Sequence, residues 1–269
     1  MSKSTNLLLK CLSKLPMNCW LVFTLITLGL VSLSEPAYAD TLDKAPAQLT
    51  NSLIQIDKAA SKGDVEGVMQ FYSPSFIHGD GINYQTMEQA LDKFWKRYPR
   101  LRYKTKVKSW KSKGNFIIAE TITSIIGLPS SNQDKLALNA TIHSRQTFMR
   151  DRITHQEILS EHTEVTSGIK PPKVDIKLPQ QVKVGMSYYF DAIVQEPLGN
   201  NYLLGKVMQE PVKLPQYLKP SSMNLESLKA GGLFKIGRAP DTPGNYWVSA
   251  VIVRSDGMTI VTRRLRVIK

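Results

Sequence analysis

With 269 residues, the chain is too long for one ordinary small domain and suits two. Its formal charge of +13 points to an acidic partner, or to a solvated basic surface that aids solubility. Cys11 and Cys19 both precede the apolar run that starts at Trp20, so loss of that segment excludes a disulfide, a thiol nucleophile and a cysteine metal site.

Met1 to Lys14 carries Lys3, Lys10 and Lys14 without an acid, and Trp20 to Leu33 is apolar. Ala37-Tyr38-Ala39 then puts small residues where a signal peptidase cuts. The expectation is a Sec-type signal peptide over 1–39 and a mature chain that begins at Asp40 in the periplasm or an equivalent compartment. The alternative is an uncleaved membrane tether, although the apolar run falls short of the roughly 20 residues that span a bilayer. Cleavage removes three lysines and Glu35 and takes the charge from +13 to +11. For an exported chain, anionic lipid head groups or an acidic envelope polymer fit that charge better than nucleic acid.

Leu49, Leu53, Ile56 and Ala60 fall at helical spacing, and Gly63-Asp64 ends that helix while Asp64 can cap the next. Val65, Val68, Met69 and Tyr72 make a second, short stripe that Ser73-Pro74 stops. A loop carrying Phe76, His78, Asp80 and Gly81 follows. Thr86 with Gln89 reads as a capping box, and Met87, Ala90, Leu91, Phe94, Trp95 and Tyr98 form the buried face of a third helix that Pro99 terminates. From Leu101 the period changes to two, with Arg102, Lys104, Lys106 and Lys108 on one face of a strand. Phe116 to Ile126 is apolar on both faces. Leu136 to Met149 and Ile153 to Val165 form a hairpin about Arg150-Asp151-Arg152, and the sheet is expected to be antiparallel with helices on one side.

The run Gly63-Asp64-Val65-Glu66-Gly67-Val68, then Phe71-Tyr72-Ser73-Pro74-Ser75-Phe76 and His78-Gly79-Asp80-Gly81, resembles the nuclear transport factor 2-like superfamily, in the style of its SnoaL-like and ketosteroid-isomerase-like members. The resemblance covers roughly residues 45 to 167 and implies an α+β cone, three helices on a curved antiparallel sheet. Such proteins include isomerases, dehydratases, cyclases, ligand carriers and protein-association modules, so the fold alone does not choose an activity.

For an isomerase of this kind the resemblance implies a carboxylate base and donors for an enolate oxygen. Asp80 is the best-placed carboxylate, with His78 and Tyr84 as partners, yet Asp80-Gly81 equally reads as a turn. His143 and Arg145 share the strand face opposite Leu138, Ala140, Ile142 and Phe148. A two-residue turn would set His143 beside even-numbered positions such as His162, and a three-residue turn beside odd ones such as Glu157 and Glu161. No compact metal-ligand spacing occurs, and a solvated or interface role suits these histidines better than a metal. Phe94, Trp95 and Tyr98 either line an apolar cavity or fill it. The basic stripe Arg102, Lys104, Lys106 and Lys108 is an anionic contact or a guard against edge pairing. There is no glycine-rich phosphate loop and no Gly-x-Ser-x-Gly elbow, so no cofactor is implied.

Ile169-Lys170-Pro171-Pro172-Lys173 reads as a stiff linker over 169–173. Beyond it, over 174–269, about seven short strands between turn signals suggest a β-sandwich. Asp241-Thr242-Pro243-Gly244-Asn245-Tyr246 resembles the tyrosine corner of an immunoglobulin-like domain, with Val248 where antibody domains carry cysteine. The sequence thus reads as an exported two-domain binding protein, 40–168 being the cone that holds a small apolar ligand or forms a homodimer through its sheet. The alternative is an isomerase or hydro-lyase with Asp80 as proton shuttle.

Overall fold

A computed structural model describes residues 45–127, 136–197, 202–213, 224–228 and 231–269. The expected signal segment, the expected Ser/Asn/Pro loop before Leu136 and the expected Gly199-Asn200 turn lie outside them, and no described helix is long and apolar enough to cross a membrane.

Helix α1 (Ala47–Ala60) buries Leu49, Leu53 and Ala60, as its spacing predicts. Gly63, at φ +69, reverses the chain, and the Asp64 side chain accepts from Gly67 N at 2.8 Å to cap α2 (Val65–Met69). Helix α3 (Tyr84–Arg97) starts earlier than the sequence indicated. Its capping box is Asn83 with Thr86, not Thr86 with Gln89: Asn83 Oδ1 accepts Thr86 N at 3.0 Å and Thr86 Oγ1 accepts Asn83 N at 2.9 Å. Thr86 is therefore the third residue of the helix. The loop expected over Phe76–His78 is also corrected, because Tyr72–His78 forms strand β1. Pro74 is accommodated where the pairing of β1 is interrupted, between Tyr72 and Ile77.

Strands β2 (Leu101–Lys113), β3 (Phe116–Gly127), β4 (Ala137–Met149) and β5 (Arg152–Gly168) form an antiparallel meander. Arg150 and Asp151 make the two-residue turn between β4 and β5, with Arg150 in the left-handed region at φ 56. Two bulges then reset the register. His143 consequently faces Ser160 while Arg145 faces Glu157, so the even and odd alternatives each hold along part of one hairpin.

The C-terminal strands are β6 (Val174–Lys177), β7 (Gln181–Lys183), β8 (Ser187–Val194), β9 (Leu204–Pro211), β10 (Glu226–Ser227), β11 (Gly232–Arg238), β12 (Gly244–Arg254) and β13 (Gly257–Ile268). Strand β13 returns to the meander and pairs with β5 from Gly257↔Gly168 to Arg263↔His162. A ten-stranded sheet results, in the order β10-β9-β12-β13-β5-β4-β3-β2 with β1 on β5 and β7 on β13. The β1–β5 and β7–β13 pairs are parallel, which corrects the all-antiparallel expectation. A separate three-stranded sheet, β11-β8-β6, shares a core with the C-terminal strands of the large one through Phe190, Ala192, Val248, Ile252 and Leu265. A second core, with Leu49, Met69, Phe76, Trp95, Phe148 and Ile153, lies beneath the helices. Pro171 and Pro172 do not leave the connection loose, since Arg254 donates to Lys170 O at 2.8 Å and Thr259 to Pro172 O at 2.5 Å.

One edge of β5 is shared by two partners. Ile153 to Gln156 meets β1, and His162 to Gly168 meets β13. The interval between them is where the polar residues converge.

Candidate functional site on the helix-covered face

Directly opposed residues in a sheet share a face. Thr105, Thr123, Ile142 and Glu161 form one cross-strand row, and Asp57 of α1 accepts from Thr105 N at 2.6 Å and Thr105 Oγ1 at 2.7 Å. Glu161 therefore stands on the face the helices cover. Beyond it, Trp247 and Arg264 oppose each other on β12 and β13.

The turn after β1 delivers Asp80 to this place. Gly81, at φ +80, donates to His78 O at 2.9 Å and His78 donates to Ile82 O at 2.9 Å, so Gly79-Asp80-Gly81 closes as a tight loop. The turn reading of Asp80-Gly81 holds, and the same turn presents the Asp80 carboxylate to side chains of the C-terminal strands. Arg264 Nη1 and Nη2 donate to Asp80 Oδ1 and Oδ2, each at 2.9 Å, and Asn245 Nδ2 donates to Asp80 Oδ1 at 3.0 Å. Arg264 Nη2 also donates to Glu161 Oε2 at 3.3 Å, and Trp247 Nε1 to the same oxygen at 2.9 Å. The Asp80 and Arg264 side chains are each 2% exposed. A planar fork facing a carboxylate in this way is the strongest geometry available to an arginine pair.

His78 lies beside this pair without joining it as a cation. Its Nδ1 accepts Asp80 N at 3.1 Å and therefore carries no proton. Burial pushes the imidazole down to about 4; the Asp80 carboxylate opposes the shift, while Arg264 and His155 add to it. The 3.5 Å approach of Nδ1 to Asp80 Oδ2 is thus not an ion pair at neutral pH. Tyr84, the third candidate, opens α3 and packs half-buried against the apolar core.

Of the aromatic candidates, Trp95 is buried, and its indole N–H donates to Tyr103 OH at 2.9 Å with the rings perpendicular. Burial pushes the Tyr103 hydroxyl up to about 12, so it remains protonated. The Phe94 and Tyr98 rings lie 5.2 Å apart, tilted by 51°, and, with Tyr84, Met87 and Leu91, pack on the core while staying half-buried. Deeper under the helices Thr121 meets Ser144 at 3.2 Å and Gln146 at 3.4 Å, and Tyr72 OH donates to Gln156 at 3.3 Å. A separate surface groove of about 420 Å³ lies between α1 and the β4–β5 turn, lined by Gln48, Asn51, Gln55, Phe71 and Asp151 among others.

Sequence reasoning found His78 and Asp80 but missed Arg264, Glu161, Asn245 and Trp247. The available signal was indirect. Val261, Leu265 and Val267 mark one buried face of β13, and the arginine on the opposite face needed a partner that no local pattern names.

Residues 169–268 match a family described as a domain of unknown function, DUF8623. No curated protein matches the chain. Among solved structures, an uncharacterised cystatin-fold protein from Novosphingobium aromaticivorans is 13% identical at a TM-score of 0.32, covering 40% of this chain and 94% of that one. A putative SnoaL-like polyketide cyclase from Shewanella putrefaciens is 11% identical at 0.30, covering 43% of this chain and 90% of that one. Bd1075 of Bdellovibrio bacteriovorus is 14% identical at 0.30, and the match spans 40% of this chain but only 38% of that protein. The chain is an α+β protein with one large, mainly antiparallel sheet, few helices and a small second sheet among the described residues.

Proposed function

We propose that the chain is an exported small-molecule binding protein. In this reading residues 40–168 are a nuclear transport factor 2-like cone, 174–269 an immunoglobulin-like module joined through 169–173, and 1–39 the Sec-type signal that directs the protein out of the cytoplasm. The ligand is a small apolar molecule held between α3 and the sheet. The observation that supports this is the state of α3. Tyr84, Met87, Leu91, Phe94 and Tyr98 form its apolar stripe and contact the core, yet all five stay half-buried while Trp95 in the same helix is buried. A ligand seated there would complete their burial, at about 25 cal/mol per Å² of apolar surface.

The isomerase or hydro-lyase alternative asks Asp80 to take up a proton. Its two oxygens already face the Arg264 guanidinium and Asn245, which holds the carboxylate in its charged form and leaves the binding reading the better supported. The test is titration of the protein with apolar molecules such as 8-anilinonaphthalene-1-sulfonate and medium-chain alcohols, following tryptophan emission and melting temperature. Quenching together with a raised melting temperature, both weakened by Phe94→Asp, is expected. An unchanged melting temperature across the series would sink the reading.

A further inference from the structure

Strand β2 ends the order of the large sheet: β3 pairs with one of its sides, and nothing among the described residues pairs with the other. It carries Arg102, Lys104, Lys106, Lys108, Lys111 and Lys113 and no acid. All six are exposed, and none has an ion-pair partner among the described residues. Strict alternation would turn Lys111 and Lys113 to the face opposite Lys104 and Lys106. The structure avoids that. The register with β3 breaks between Val107 and Ser109, with Lys108 as the extra residue. Before the break Arg102, Lys104 and Lys106 oppose Ile126, Ser124 and Ile122; after it Lys111 and Lys113 oppose Ile118 and Phe116. These β3 partners share one face, away from the buried Ala119, Thr121 and Ile125. The bulge therefore keeps the cations on the outer face along a strand of roughly 43 Å.

Lysines on an edge strand hinder pairing with another chain. That accounts for one or two charges, but not for a reset of parity in the middle of the comb. Nor does it account for the large apolar side chains left open on the same face: Phe116 at 39% exposure, Met149 at 43% and Ile126 at 47%. Lys113, Phe116, Met149 and Arg152 form one cross-strand row, and Ile126 stands beside Arg102. On the same face Glu120 meets Arg145 at 2.8 Å, and Glu157 meets Arg145 at 3.3 Å and Arg266 at 3.2 Å, so both acids face arginines while the six cations of β2 stay exposed.

We propose that this face docks on anionic lipid, with β2 lying along the membrane plane, its cations on the head groups and Phe116, Met149 and Ile126 seated at the acyl boundary. A linear polyanion would satisfy the charges but gives the apolar side chains nothing to enter. Basic residues combined with apolar ones are what an interfacial contact requires. The proposal stands independently of a ligand on α3.

The test is co-sedimentation of the full chain with vesicles of phosphatidylcholine, alone or with about 30 mol% phosphatidylglycerol. Wild type is compared with Lys104→Gln/Lys106→Gln/Lys111→Gln and with Phe116→Ser/Met149→Ser. The N-terminal segment is common to all three chains, so differences between them report on the comb. The triple variant is expected to bind anionic vesicles about a hundredfold more weakly than wild type and neutral vesicles equally well. Wild-type binding should also fall steeply between about 0.1 M and about 0.5 M salt, a readout that remains if the triple variant misfolds. Equal binding by the triple variant, or salt-independent wild-type binding, overturns the proposal. So does equal binding by the Phe116→Ser/Met149→Ser variant together with full competition by soluble polyphosphate, which would assign the face to a polyanion instead.

Discussion

Replacing Arg264 by leucine removes a guanidinium that faces both Asp80 and Glu161. Asp80 is 2% exposed and Glu161 17% exposed at the side chain, so water reaches the first hardly at all. Asn245 and Trp247 remain as donors, but neither carries charge. Breaking a buried pair by deleting one partner costs about 3 to 5 kcal/mol, because the other charge stays behind in a medium that solvates it poorly. Against a total stability of about 5 to 15 kcal/mol, that is a large fraction. Urea denaturation should register a fall in midpoint on the order of 1 to 2 M at a slope of about 2 to 3 kcal/mol/M. Adding Asp80→Asn to Arg264→Leu should recover part of the loss, with a coupling energy of about 1 to 3 kcal/mol in the double-mutant cycle. A loss below about 1 kcal/mol, or strictly additive single changes, would falsify the view that this pair clamps β13 to the turn after β1.

Two further predictions concern His78, beside Asp80, and Gly257, at the far end of the β13–β5 pairing. His78 is held neutral, its folded value about 4 lying below the ordinary 6.5. Its contribution to stability is complete above pH 6.5 and is lost as the pH falls through about 4, because the unfolded chain takes up the proton first; the most it can amount to is about 3 kcal/mol. Urea midpoints at pH 7 and near pH 4 should differ less in His78→Gln than in wild type, and identical pH slopes would remove His78 as the cause. Gly257→Ala would place a Cβ 2.6 Å from Pro171 Cα, 2.7 Å from Pro171 N and 2.8 Å from Ser167 O, all backbone that cannot swing aside. A loss of about 1 to 3 kcal/mol in thermal melts is expected, whereas Gly79→Ala, whose nearest contacts are 3.6 to 3.7 Å, should stay close to wild type; equal melting of both variants contradicts the steric argument.

What the sequence made legible was local. The stripe Leu49, Leu53 and Ala60, the Asp64 cap and the alternation from Tyr103 onward depend on neighbours a few residues away, and each appears in the structure. The start of α3 was misplaced because two overlapping capping patterns compete, and only the reach of the Asn83 amide to Thr86 N decides between them. Strand β1 was hidden by Pro74, a residue that argues against a strand unless pairing lapses around it. The register of His143 followed from bulges at Thr154 and Leu159, which carry no turn residue to announce them. At the site, Asp80 was visible because a turn brings His78 and Asp80 together within three residues. Arg264 lies 184 residues beyond Asp80, and no periodicity spans that distance.

Composition and hydrogen bonding divide this chain in different ways. The proline pair at 171–172 marks a change in character, yet the residues on either side of it belong to strands that meet again in one sheet, at Gly168↔Gly257. Strand β5 has an edge that β1 covers only as far as Gln156, and the backbone groups from His162 onward find their partners on β13. Unpaired, that edge would present its amides and carbonyls to solvent or to another chain. The Asp80 clamp sits at the step between the two partners, where the Arg264 side chain reaches both Asp80 and Glu161. Asp80 lies four residues before Tyr84, so a shift of α3 has to work against the Arg264 fork.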